Sequence, residues 1–165
     1  MRIRPATAED LPEVLAINAE GFETYREFTP PNWEPPSFDG IAEKAEDERA
    51  VWLAAEEDGR VVGHVMLIPA QTSSVPEDDP TLAHVMQVFV AASHRGTPVA
   101  TKLMEALIEE ALRVGYEHLR LFTPSQAGRA RRFYEREGWT KVDEVEETPL
   151  GFPVVEYRRP CRIPS

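Results

Sequence analysis

One cysteine, Cys161, stands in 165 residues. A lone thiol excludes an internal disulfide framework and a multi-cysteine zinc site. The four histidines, His64, His84, His94 and His118, are dispersed without the short spacing of a metal motif, and no metal is expected. No apolar run approaches the ~18 residues that cross a bilayer, so no membrane partner is expected. Met1-Arg2-Ile3-Arg4-Pro5 leads straight into polar residues, without the apolar stretch of a secretory leader, and a cytoplasmic location is expected. Positive charge is also scarce: 18 Lys+Arg stand against 29 Asp+Glu, a formal net charge of −11. That field repels a phosphate backbone, so nucleic acid is not expected as a partner. It suits a well-solvated surface, and it would also attract a cationic amine.

What is present reads as an ordinary soluble chain, 42% hydrophobic and 28% charged, of a length that fits one domain over 1–165. Arg2 to Arg4 reads as a short strand. Asp10-Leu11-Pro12-Glu13 reads as a helix start with Asp10 as N-cap, Leu11, Val14, Leu15 and Asn18 on one face, and Gly21 as the stop. Residues 22 to 37 are irregular and hold Phe22, Tyr25, Phe28 and Trp33 among four prolines. Such aromatics either line a substrate pocket or pin a long loop. A short helix is expected from about Phe38 to Asp47. Val51 to Glu57, Asp58-Gly59 and Arg60 to Ile68 form a hairpin signature.

A polar loop over 70–81 leads to a strand over His84–Val90 and a helix from about Pro98 to Val114, stopped by Gly115. A strand at His118–Phe122 and a helix at about Gln126–Glu137 follow. Trp139–Glu146 and Val154–Arg158 read as a closing antiparallel pair. Hairpins with one strand–helix–strand crossover predict an α+β layer with one parallel strand pair.

The chemistry sits in the strand, tight loop and helix from His84 to Val114. Backbone N–H groups at a helix start have no intrahelical partner, and with the helix dipole they make an anion site. Arg95 adds positive charge there and Gly96 lets the backbone approach closely, which points to a phosphate-bearing ligand.

Arg95-Gly96-Thr97-Pro98-Val99-Ala100 resembles the Arg/Gln-x-x-Gly-x-Gly/Ala signature of the GNAT family of N-acetyltransferases. Ala130-Arg131-Arg132-Phe133-Tyr134-Glu135-Arg136-Glu137-Gly138-Trp139 resembles the family's second signature, a helix bearing Phe-Tyr and ending in Gly-aromatic. The resemblance follows the element order from Met1 to about Arg159. It implies a GNAT-like fold: a mixed, mostly antiparallel sheet of about seven strands, a splayed parallel pair at 84–90 and 118–122, and about four helices. It also implies acetyl-CoA as cosubstrate and an amine attacking directly, without an acyl-enzyme.

In that likeness Val88, Phe89 and Val90 carry the backbone that meets the thioester and pantetheine. Arg95, Gly96, Thr97, Pro98, Val99, Ala100 and Thr101 form the pyrophosphate loop. Ala127 and Ala130 flank the pantetheine, and Tyr134 is the general acid. Two residues depart from the pattern. Pro98 stands where glycine is usual and lacks an N–H. Ala127 stands where many members have asparagine. His84, four residues before Val88, is the candidate general base, on the expectation that it shares a strand face with Met86 and Val88. Tyr25, Phe28, Trp33 and the 147–153 turn are the candidate acceptor residues. The acceptor expected is a small-molecule primary amine. The alternatives are a non-catalytic acyl-CoA sensor and an acetyltransferase of protein or peptide N-termini. A homodimer is compatible with the family likeness.

Overall fold

The computed structural model describes residues 1–38, 40–148 and 150–162. Among them seven strands form one sheet: β1 (Arg2–Pro5), β2 (Val51–Glu57), β3 (Arg60–Pro69), β4 (Leu82–Val90), β5 (His118–Pro124), β6 (Thr140–Val145) and β7 (Val154–Pro160). The flanking α-helices are α1 (Leu11–Glu23), α2 (Ile41–Lys44), α3 (Val99–Val114) and α4 (Gly128–Arg136). The spatial order is β1-β2-β3-β4-β5-β7-β6, antiparallel except between β4 and β5. This is the mixed sheet with one parallel pair that the patterning predicts. No helix among the described residues is long and apolar enough to cross a membrane.

Alternation along β2 and β3 sends Leu53, Ala55, Val65 and Leu67 to one face, where Leu103, Met104 and Leu107 of α3 cover them. Trp52 and Met66 take the other face, against Val14 of α1 and Ile41 of α2. Leu103 and Leu107 are fully buried, and each such side chain contributes roughly 1.5–3 kcal/mol. The amphipathic stripe of α3 therefore fixes where its N-terminus, the candidate anion site, meets the sheet.

Alternation breaks in β4. Met66 pairs with Gln87 and Leu67 with Val85, so Met86 is an extra residue on the β4 side. A bulge of this kind reverses side-chain parity. Met86 and Phe89 pack on the α1 side, while Val88 and Val90 pack on the α3 side. The expectation that His84, Met86 and Val88 share a face is thus corrected. His84 and Met86 stay together, and Val88 is turned away.

The helix boundaries also differ. Asp10 takes the N-cap position of α1, but its side chain bonds no α1 amide; it also ends a short 3-10 turn over Ala8–Asp10. Its carboxylate accepts from Arg4 Nη1 and Nη2 at 2.9 and 2.8 Å and from the Thr7 N–H at 2.8 Å. Gly21 does not stop α1, which runs on to Glu23 and buries Val14, Ile17, Asn18 and Phe22. Gly21 serves a close approach instead: a Cβ there would lie 2.4 Å from the Phe89 ring. The helix expected over 38–47 is a single turn, and Asp39 lies outside the described residues.

Candidate active site

Strands β4 and β5 pair only from Leu82↔His118 to His84↔Arg120 and then diverge, while β5 stays paired to β7 as far as Pro124↔Val154. The Ala91 N–H bonds to Val62 O at 2.8 Å on the β3 side. Hydrogen-bonding direction alternates along a strand, so the N–H and C=O groups of Val88 and Val90 are directed into the gap.

At the head of the gap lies the loop before α3. Gly96 has φ +80°, a conformation that favours glycine. The Thr97 N–H is spent on His94 O at 3.3 Å, and its hydroxyl donates to the same oxygen at 2.6 Å. Pro98 takes the N-cap position and the helix begins at Val99, one residue later than the sequence suggests. The Val99 N–H only grazes Thr97 Oγ1 at 3.5 Å. The N–H groups of Gly96, Ala100 and Thr101 have no partner among the described residues.

One guanidinium, that of Arg129, borders these amides, and a second, that of Arg95, is held at the end of α1. Arg95 donates from Nη2 to Glu20 O at 3.0 Å. A Cβ at Gly96 would lie 3.5 Å from Nη2 of Arg129, in the first turn of α4. Among the described residues neither guanidinium has a carboxylate within ion-pair distance. His94 is not free to join them, since Glu57 holds its Nε2 at 2.5 Å. In a chain of net charge −11, an uncompensated guanidinium beside three open amides suits a diphosphate.

Tyr134 projects from α4 into the core and is 8% exposed. Its ring meets Trp139 and Tyr157, each at 6.0 Å. Its hydroxyl has no hydrogen-bond partner among the described residues. Burial, with a smaller contribution from Tyr25, holds its pKa above the usual phenol range. α4 is fastened to β7: the Tyr157 hydroxyl donates to Glu135 Oε2 at 2.6 Å and accepts from Arg131 Nε at 3.1 Å. Glu135 is therefore an anchor that sets the position of Tyr134. Ala127 takes the N-cap position of α4, and Ala130 packs against the core.

His84 stands beside the parallel pairing, and its Nδ1 accepts from Arg120 Nε at 3.2 Å. Arg120 is 2% exposed and also donates through Nη2 to Ser73 Oγ (2.9 Å) and Val75 O (2.8 Å). Burial, and then the Arg120 charge, push the His84 pKa down to about 3. His64 is fully buried: Trp52 Nε1 donates to its Nδ1 at 3.3 Å, and its Nε2 donates to Asn18 Oδ1 at 2.7 Å. Asn18 passes the chain on to Gln87 Oε1 at 2.9 Å. Burial alone pushes His64 to about 3.

On the α1 side a cavity of about 120 Å³ opens against β4, β5 and β7. Tyr25 and Trp33 line it, whereas Phe28 lies behind, against Tyr25 (5.5 Å) and Phe152 (5.6 Å). The aromatics of 22–38 thus both pin the loop and line a cavity. Phe89, placed with the cofactor by the family likeness, sends its side chain to this cavity. Leu150 and Phe152 of the 147–153 turn reach it too, and Pro149 lies outside the described residues. Cys161 is buried with its thiol pushed up to about 11, as an inert thiol would be.

A splayed parallel pair, a helix start rich in open amides and a buried tyrosine on α4 are the features of the candidate site. The description "Acetyltransferase (GNAT) family" belongs to a family model that matches residues 18–139, and the chain belongs to that family. An uncharacterized N-acetyltransferase of Mycobacterium tuberculosis is 30% identical over 111 residues, covering 67% of this chain and 65% of that protein. The mycothiol acetyltransferase of Sanguibacter keddieii is 30% identical over 137 residues, 81% of this chain and 41% of that one. The chain thus spans less than two thirds of either relative.

Among solved structures, a ribosomal-protein-alanine N-acetyltransferase of Brucella melitensis superposes with TM-score 0.76 at 22% identity over 97% of this chain and 99% of its own. An acetyltransferase-fold protein of Salmonella typhimurium, solved with its cofactor acetyl-CoA, gives 0.75 at 20% identity over 100% and 96%. Acetyl-CoA is the cosubstrate of the family.

Proposed function

We propose that this chain is an acetyl-CoA-dependent N-acetyltransferase that acetylates a primary amine of a small molecule by direct attack. The carrying observation is the gap between β4 and β5, where the backbone of Val88 and Val90 is unpaired near the open amides that start α3. When bound, acetyl-CoA supplies the activated acetyl thioester. The backbone of Val88 and Val90 would hold its arm. The amides of Gly96, Ala100 and Thr101, with Arg95 and Arg129, would hold its diphosphate. Phe89, Thr97, Pro98 and Val99 shape the strand and loop without offering an open N–H, and the small side chains of Ala127 and Ala130 leave room along α4.

The Val88 N–H is a fixed donor for a developing oxyanion. Tyr134 keeps its proton through the neutral range and serves as general acid where negative charge appears beside it. His84 acts as a neutral brace for Arg120, because the lone pair a base would use already accepts from that guanidinium. An alkylammonium has a pKa near ~10 in water, and an apolar cavity disfavours its charged form, so the amine sheds its proton to solvent on entering. kcat/KM is then expected to climb with pH toward the amine's own pKa, with no limb near 6 to 7, in the wild type and in His84→Gln alike. A limb there that vanishes in His84→Gln would restore the histidine as base.

Calorimetric titration of acetyl-CoA, with CoA as control, tests the reading directly, and micromolar binding is expected. Arg129→Ala is expected to weaken it about five- to tenfold, the size of one exposed charge-assisted contact, and less so at high salt. Absence of binding at millimolar acetyl-CoA would overturn the assignment.

A further inference from the structure

The cavity on the α1 side has no charged side chain among the described residues that line it. Met86 and Phe89 of β4 and Phe122 of β5 form one wall; Tyr25, Trp33 and Phe152 form the other. Trp33 Nε1 donates to Leu150 O at 2.9 Å, tying the loop after α1 to the connection between β6 and β7. Arg120 does not line the cavity; it lies behind Phe122, 5.0 Å from that ring's centroid. Thr123 lines it, is 5% exposed, and its hydroxyl has no partner among the described residues. The Tyr25 hydroxyl likewise has none, and it lies near enough to Tyr134 for the two to interact electrostatically.

We infer that this cavity seats the acceptor, a small primary amine carried on an uncharged apolar group of about four to seven carbons, the size that a cavity near 120 Å³ admits. The inference rests on the acetyl-transfer reading. A second ammonium, as in a polyamine, or a carboxylate, as in a free amino acid, would be desolvated here with no opposite charge to meet it. An apolar group meets aromatic walls instead, and each methylene it buries is worth roughly fourfold in affinity. The unpartnered hydroxyl of Tyr25 is the group left to hydrogen-bond the neutral nitrogen. The tie between Trp33 and Leu150 closes the roof and favours a small amine over a peptide.

Thiol release from acetyl-CoA, measured with a panel of amines, tests this. Isopentylamine and benzylamine are expected to exceed ethylamine at least tenfold in kcat/KM, and spermidine and glucosamine about a hundredfold. Val154, on the cavity wall, allows the space to be changed. Val154→Phe should lower kcat/KM for isopentylamine and benzylamine tenfold or more while the acetyl-CoA Kd holds. Val154→Ala, which asks less of the fold, should move the optimum to a longer amine. If acetyl-CoA binds but spermidine, glucosamine or a peptide with an N-terminal leucine is preferred, or neither apolar amine turns over, the acceptor class is overturned and acetyl-CoA binding stands. If acetyl-CoA does not bind, both readings fall.

Discussion

Lowering the pH from 7 to 5 is expected to remove about 3–4 kcal/mol of unfolding free energy, through His64 and His84. Both are neutral in the fold, with pKa pushed down to about 3, against about 6.5 in the unfolded chain. Depressed folded values mean that the unfolded state binds the extra protons. Stability is therefore full above about pH 6.5 and is lost as pH falls from there toward 3. His64 is fully buried and carries about 2 kcal/mol of the loss at pH 5. His84 keeps part of its surface accessible and carries somewhat less. The lowered carboxylates, Asp10 and Glu77 among them, add to the loss only below the ordinary carboxylate range.

Urea unfolding at several pH values reads this as a slope. His64→Phe should be less stable than the wild type at pH 7, because Trp52 and Asn18 lose their partner. Its slope between pH 6 and 4 should be shallower by about one proton, roughly 1.4 kcal/mol per pH unit. An equal slope in the two proteins would remove His64 as the source.

Features written within a short stretch of sequence are legible there. Asp58-Gly59 between two β-rich runs yields the β2–β3 hairpin, and the stripe from Val99 to Ala111 yields α3 with Gly115 behind it. The resemblance around Arg95-Gly96 and Phe133-Tyr134 falls on the two helices that flank the gap. Features that depend on what the fold brings together are not legible. The bulge at Met86 is a register slip against β3, and it alone moves Val88 off the His84 face. Asn18, His64 and Gln87 look unrelated in sequence, yet they form one buried polar chain. Nothing in the sequence ties Arg120 to His84, but it occupies the nitrogen of His84 that base catalysis would need. Phe28, Tyr25 and Trp33 are alike in the sequence, and all three meet Phe152 in the fold, yet only Tyr25 and Trp33 reach the cavity.

Tyr134→Phe is expected to slow turnover about a hundred- to a thousandfold, in the range of a removed general acid, while the acetyl-CoA Kd changes less than threefold. The ring is retained, so its packing on Trp139 and Tyr157 persists and α4 stays fastened through Glu135 and Arg131. The hydroxyl has no hydrogen-bond partner among the described residues, so its loss strands no buried donor or acceptor, and the Tm should hold within about 2 °C. A purely structural tyrosine would leave turnover unchanged in this variant, because the packed ring is retained. The leaving group separates the roles further. A thiol ester whose thiolate departs easily needs less help from a proton donor, so the phenylalanine variant should recover part of its rate on an activated aryl thioester. The wild type should gain much less from that change. Equal turnover by the two proteins on acetyl-CoA would take Tyr134 out of the chemistry and return it to the core in which its ring is packed.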